Sequence, residues 1–262
     1  MISGQERICT FIDNSTLDDF PRSLMLIGEK GSGKHLLCSY ICNKFNLESL
    51  DITDSISLEL INQINERVNP YLYIIKINSL TVKEENTILK LLEEPLKNAY
   101  LVLLTETDNG ILPTILNRCQ IWRLQNYSKE FLKTFLSEDN PELLSIANTP
   151  GQILEMQGNN FKDMYALCDK IVNKITEASI PNILTISNKL AFKDEKDKFN
   201  YRLTLLLIKE LLCKYYRDLT QIKYLKAYIS VNDLLKTIKN AMIDPKILFD
   251  KWLLEVRDIM RG

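Results

Sequence analysis

"NTILKLLEEPLKNAYLVLLTETDNGILPTILNRCQIWRL", residues 86–124, carries three structural signals in succession. Its opening, taken with the residues from Lys83, has the spacing of an amphipathic helix and stops at Glu93-Glu94-Pro95. Proline ends such a segment because it has no N–H to give and its ring crowds the preceding turn. "AYLVLLT" (99–105) is a short apolar run and predicts a buried strand; "CQIWRL" (119–124) predicts a second. Between them, in "ILNRCQ", a single arginine, Arg118, sits at the mouth of a turn just beyond a buried strand.

The same alternation continues toward the start of the chain. "SLMLIG" (23–28), "ESLDIT" (48–53) and "YLYIIKI" (71–77) read as strands, the last rich in aromatic and β-branched residues. "KHLLCSYICNKF" (34–45) and "SLELINQINERV" (57–68) have helical spacing. Strands alternating with helices predict a parallel sheet covered on both faces. From about residue 126 the strand signals fade. "SKEFLKTFLS" (128–137), "PELLSIAN" (141–148) and "TPGQILEM" predict short helices, while "FNYRLTLLLIKELLCKYYRDL" (199–219) and "ILFDKWLLEVRDIM" (247–260) predict long ones. The fold class expected is therefore α/β plus all-α. Residues 1–125 form the sheet-based domain, 126–160 a small helical lid and 161–262 an all-helical domain.

Composition narrows the class. The chain has 262 residues, 45% hydrophobic and 26% charged, enough to bury a sizeable core. No apolar run is long enough to span a bilayer, and "MISGQERICTFIDNST" has no basic stretch followed by an apolar one, so a cytoplasmic protein is expected. Six cysteines are scattered without a CxxC pair, against a disulfide framework or zinc ribbon. His35, Cys38 and Cys42 would share one helix face, but no fourth ligand is evident, and they read as a partly buried face rather than a metal site. Residues 1–160 carry 14 Lys/Arg against 21 Asp/Glu, and residues 161–262 carry 19 against 13. An acidic front half is a poor autonomous grip on nucleic acid, which is held by clustered cations.

"GEKGSGKH" (28–35) puts Gly28, Gly31, Gly33 and Lys34 on the spacing of a phosphate-binding loop, between a strand and a helix. In that setting backbone N–H groups and the helix N-terminus can surround phosphate oxygens. The last position should be Ser or Thr, whose hydroxyl ligates Mg²⁺; here it is His35, and imidazole suits that hard cation poorly. A later strand should end in an acidic metal-binding residue, yet "YLYIIKI" offers Lys76 and Ile77. Two losses on the same ion predict no ATP hydrolysis by this chain alone. They leave open whether ATP is still held without turnover.

The quoted stretch resembles the clamp-loader branch of the AAA+ ATPases. Its members typically carry an "NALLKTLEEPP" helix end, a sensor strand and "ILPTILSRCQ". Asn86, Leu89, Lys90, Leu92, Glu93, Glu94 and Pro95 match the first motif. Ile111 to Leu116, Arg118, Cys119 and Gln120 match the last, with Asn117 in place of serine. "SGQERI" near the start is similar to the branch's opening box. The resemblance covers about residues 1–160 and implies a RecA-like AAA+ domain, a helical lid and a C-terminal helical collar that packs with other subunits.

It also implies roles. In this branch the arginine of the last motif acts in trans, on the γ-phosphate of ATP bound by a neighbouring subunit. Arg118 is thus the expected arginine finger, while Gly28, Gly31, Gly33, Lys34 and His35 form a degenerate phosphate loop. Glu106 stands where the branch's ATPases place a Thr or Asn sensor, and Gln152 where many carry a second-sensor arginine. Keeping the finger while losing the other ATPase elements is the pattern of the branch's stationary, non-hydrolysing subunits. The partners implied are ATP-binding gamma/tau-type subunits, a delta-type clamp opener, the sliding clamp and, through the complex, primer–template DNA. One departure stands out. Relatives often carry a four-cysteine zinc module after the phosphate loop, and no cysteine cluster lies there in this chain. An active ATPase subunit and a repurposed interaction module are the alternatives.

Overall fold

The computed structural model describes residues 2–52, 56, 68–77, 82–93, 98–157, 161–189, 201–240 and 243–261. They divide into two compact units, one of Met1–Phe135 with Ala147–Ile153, the other of Leu136–Ile146 with Leu154–Gly262.

The first unit is built on strands β1 (Ser23–Ile27), β2 (Glu48–Ile52), β3 (Tyr71–Lys76), β4 (Ala99–Thr105) and β5 (Gln120–Arg123). They form one sheet in the order β2-β3-β4-β1-β5, and every neighbouring pair is parallel. All five strands fall where the hydrophobic pattern puts them. The central strands β1 and β4 are buried along their whole length, as is β3 up to Lys76, which explains why they read as unbroken apolar runs. The outer strands β2 and β5 are mostly exposed.

Helices α1 (Glu6–Asn14), α2 (Lys34–Phe45), α3 (Val82–Glu93) and the single turn α4 (Pro113–Leu116) accompany the sheet. Successive side chains of a strand face opposite ways, so each strand feeds two cores. Leu24, Leu26, Leu72, Ile74, Val102 and Leu104 pack with Cys9 and Ile12 of α1 and Leu37, Cys38 and Ile41 of α2. Met25, Ile27, Tyr73, Ile75, Leu101 and Leu103 pack on the other face with Ile88, Leu91 and Leu92 of α3. Each such aliphatic side chain contributes roughly 1.5–3 kcal/mol when buried.

Helix α1 is absent from the reading of the hydrophobic pattern; it buries only Cys9 and Ile12, too short a stripe to stand out. The helix expected over 128–137 is shorter in the structure. Ser128 caps α5 (Lys129–Lys133) by accepting from the Phe131 N–H, and the chain then tightens, with Thr134 N–H bonding to Phe131. The helix expected over 57–68 lies, except for Val68, outside the described residues, as does the expected helix stop at Pro95.

The second unit is helical: α6 (Pro141–Ile146), the end of α7 (Pro150–Gln157), α8 (Phe161–Lys174), α9 (Ile180–Lys189), α10 (Tyr201–Leu219), α11 (Ile222–Asn240) and α12 (Pro245–Arg261). Helix α10 packs on α8 and α11, and α12 on α9 and α11. Polar side chains tie these faces together: Tyr215 donates to Asp169 (2.7 Å), Trp252 to Ser230 (3.0 Å) and Lys246 to the buried Ser187 (2.7 Å). Among the described residues no helix is long and apolar enough to cross a membrane.

Candidate functional site

Strand β1 runs out of the sheet at Ile27 and delivers Gly28 to the loop that ends in α2. Gly31 (φ +82°) and Gly33 (φ +89°) hold the left-handed backbone that lets the loop curl before the helix starts, a conformation that costs other residues energy. The architecture of a phosphate cradle is therefore present. Its last position, His35, lacks the hydroxyl that would ligate magnesium.

The Lys34 ammonium folds back on its own loop, donating to the carbonyls of Gly28 and of Glu29 (2.9 Å). Burial pushes it below the ordinary lysine value, and the charges of Glu106 and Glu29 oppose that shift. His35 points instead toward Asp51 on β2, with Nδ1 3.7 Å from its carboxylate. Ser32 supplies the loop's hydroxyl, but its Oγ is buried and without a hydrogen-bond partner among the described residues. It lies behind the loop, 2.7 Å from where a Cβ on Gly28 would stand. At the end of β3, Lys76 is exposed and Ile77 buried, so that strand offers no oxygen ligand. The donor set does not fit a magnesium–nucleotide.

The outer side of the loop is occupied by protein. Gly31 and Gly151 cross so closely that a Cβ on Gly31 would lie 2.7 Å from the Gly151 Cα. The Gly151 N–H donates to the Gly31 carbonyl (3.2 Å), and the Thr149 hydroxyl to that of Lys30 (2.8 Å). Thr149 and Gln152 form a reciprocal cap on α7. The Gln152 N–H donates to Thr149 Oγ1 (3.3 Å), and Gln152 Oε1 accepts from the N–H groups of Asn148 (2.8 Å) and Thr149 (3.2 Å). The Gln152 amide also donates to the Glu29 carboxylate (3.2 Å). Gln152 thus spends its side chain on its own chain.

A second segment crosses nearby. The Tyr127 hydroxyl donates to the Ser32 carbonyl (2.9 Å). Gln5, from the opening "GQ", pairs with the backbone of Gln125 in both directions at 2.9 Å. Gly4 leaves room for the Tyr127 ring, which a Cβ there would meet at 2.5 Å. Pattern reading missed Tyr127 and Thr149. The T-x-x-Q spacing of 149–152 is a capping signature that could have flagged the second.

Arg118 belongs to a different place. It follows α4 in the turn that leads into β5, with its N–H bonded to the Ile115 carbonyl (3.1 Å). Its Nη1 donates to the Thr114 carbonyl (2.9 Å), and its Nη2 lies 2.7 Å from Oε1 of Glu93, the last residue of α3. The side chain of Arg118 is 36% exposed and that of Glu93 50%. Two motifs of the stretch quoted first, the helix end at Glu93 and the "NRC" turn, meet at this pair. Close by in sequence, Arg123 pairs with Asp108 at 2.6 Å and holds that carboxyl below its usual range. Cys38 is buried and its thiol pushed up to about 12, while Cys42 is half-buried.

Sheet order, glycine loop and helical remainder make a five-stranded parallel α/β domain, with a glycine loop after its first strand, and a helical second unit. A family model described as "DNA polymerase III, delta subunit" matches residues 53–128. DNA polymerase III subunit delta' of Haemophilus influenzae is 32% identical over 102 residues, 34% of this chain and 31% of its own length. The delta' subunit of Bacillus subtilis is 31% identical over 96 residues, 34% of this chain and 29% of its own. An uncharacterised protein of Mycoplasma pneumoniae is 31% identical over 122 residues, 46% and 48% of the two chains. The matches thus span less than half of each relative. In fold, a gamma subunit-related protein of DNA polymerase III from Thermotoga maritima matches with a TM-score of 0.52 at 17% identity, over 99% of this chain and 100% of that one. Over the matched stretches this chain is similar to delta' subunits of DNA polymerase III.

Proposed function

We propose that the chain is the non-hydrolysing subunit of a sliding-clamp loader and that it lends Arg118 to ATP held by a neighbouring subunit. The observation that carries this reading is the contrast between the two sites. The loop that should hold nucleotide has spent its lysine on its own carbonyls and lies under residues 149–152. The arginine remains at the surface in the family's motif. An arginine finger neutralises charge that develops on a transferring phosphoryl group, and a chain without magnesium ligands has no use for one on its own account.

In this reading residues 1–125 are the base domain, 126–160 the lid and 161–262 the collar through which subunits join. The partners are ATP-binding gamma/tau-type subunits, a delta-type clamp opener, the sliding clamp and, through the assembly, primer–template DNA. The test is reconstitution with candidate ATPase subunits, comparing the ATPase of complexes that contain wild type or Arg118→Ala. A fall of about 10³-fold or more in kcat is expected. An unchanged kcat, or saturable ATP turnover by the purified chain that Lys34→Ala abolishes, refutes the reading.

A further inference from the structure

The Arg118 guanidinium is held by two groups of different kind. The Thr114 carbonyl is neutral backbone on the same turn and fixes where the planar fork lies. Glu93 reaches it from another element, α3, and supplies a full negative charge. Half of the Glu93 side chain is open to solvent, so water competes for its carboxylate and salt screens it. Pairs of that kind are weak, and either partner can leave at little cost.

A terminal phosphate is the stronger partner for the same fork. It carries close to two negative charges and offers several acceptor oxygens, which suits the parallel N–H groups of a guanidinium. We propose that Glu93 is a displaceable counter-ion for Arg118, holding the guanidinium in its turn until the terminal phosphate of a nucleoside triphosphate on a neighbouring subunit takes the carboxylate's place. This rests on the donated-arginine reading above and adds a residue to it. Glu93 competes with nucleotide for Arg118 in the ground state and leaves the aligning bond to Thr114 untouched. Removing the competitor therefore tightens ATP binding and changes the chemical step little, because ground state and transition state gain alike.

The experiment uses the reconstituted loader with wild type, Glu93→Gln, Arg118→Ala and the double variant, reading kcat and KM for ATP separately. Glutamine keeps the size and loses the charge, and an exposed position keeps the variant folded, which a melt matching wild type verifies. Expected for Glu93→Gln is a KM lower by about two- to five-fold, the range exposed ion pairs supply, with kcat within about two-fold. In the Arg118→Ala background the same substitution should leave KM unmoved. An unchanged KM in the single variant overturns the proposal, as does a tenfold fall in kcat, which would make the carboxylate an aligning group. A KM shift of equal size without Arg118 overturns it too. If Arg118→Ala itself leaves both constants alone, the donated-arginine reading fails and takes this inference with it. A silent Glu93→Gln beside an inactive Arg118→Ala sinks the inference only.

Discussion

The glycine loop at 28–33 and the turn at 117–118 are both places where a sheet-bound segment presents a cation, and they have been resolved in opposite ways. Lys34 is turned inward and answered by two carbonyls of its own loop, with residues 149–152 packed across the glycine beside it. Arg118 stays at the surface, answered by one carbonyl and one solvated carboxylate. Backbone partners fixed within the same loop, beside a close-packed crossing, do not exchange readily. A solvated ion pair does, since it is worth only about 0–1 kcal/mol. What separates a spent cation from an available one is the replaceability of its partner, more than its residue type or motif.

The largest effect that can break this comparison is functional. Arg118→Ala should remove about three orders of magnitude from the ATPase of the complex, while Lys34→Met should change it by less than about two-fold. A deep loss from the lysine variant would mean that the loop still meets nucleotide. Next in size is a structural effect confined to the loop. Gly31 has φ +82°, and any side chain there also collides with the Gly151 backbone. Gly31→Ala should cost about 1–3 kcal/mol in urea unfolding, toward the upper end because strain and collision combine. A cost near zero would show that the crossing opens freely, and the loop would no longer count as locked.

Much of this contrast is legible in the sequence. The three central strands are long apolar runs because helices cover both faces, and they were readable for that reason. The degenerate loop follows from His35 and Lys76 alone, because magnesium needs oxygen at those positions. What the sequence could not give was the identity of the groups that replaced the missing ligand. The Lys34 carbonyl contacts belong to the loop's own backbone, which has no side-chain signature. The Gly31–Gly151 crossing joins residues far apart in the chain, each of which alone looks like an ordinary glycine. Glu93 was visible as a motif residue, but its pairing with Arg118 depends on where α3 ends relative to α4. Local chemistry was readable, and non-local partnership was not.

A smaller effect sharpens the loop side. Thr149 both caps α7 and donates to the Lys30 carbonyl. Thr149→Ala should lower stability by about 2 kcal/mol, roughly 1 for the lost cap and about as much again for the lost bond to Lys30. A loss no greater than that of a cap on a free helix would mean that the bond to Lys30 adds nothing.

The smallest effect is a pH dependence, and its sign is fixed by the environment of Lys34. Burial lowers its proton affinity in the folded chain, and Glu106 and Glu29 offset only part of that. In the unfolded chain the amine titrates near the ordinary value of 10.5. Between the two values the unfolded chain binds the proton that the folded chain has released, so stability rises with pH across that window. The contribution is complete above 10.5 and is lost as pH falls through the lower, folded value. Lys34→Met carries no proton in either state and should flatten that rise. Urea midpoints of wild type and variant, compared at several alkaline pH values, measure the difference and cancel the lysines and tyrosines common to both. Parallel curves would place the ammonium in an environment as favourable as water. The inward-turned cation would then be no more desolvated than a surface ammonium.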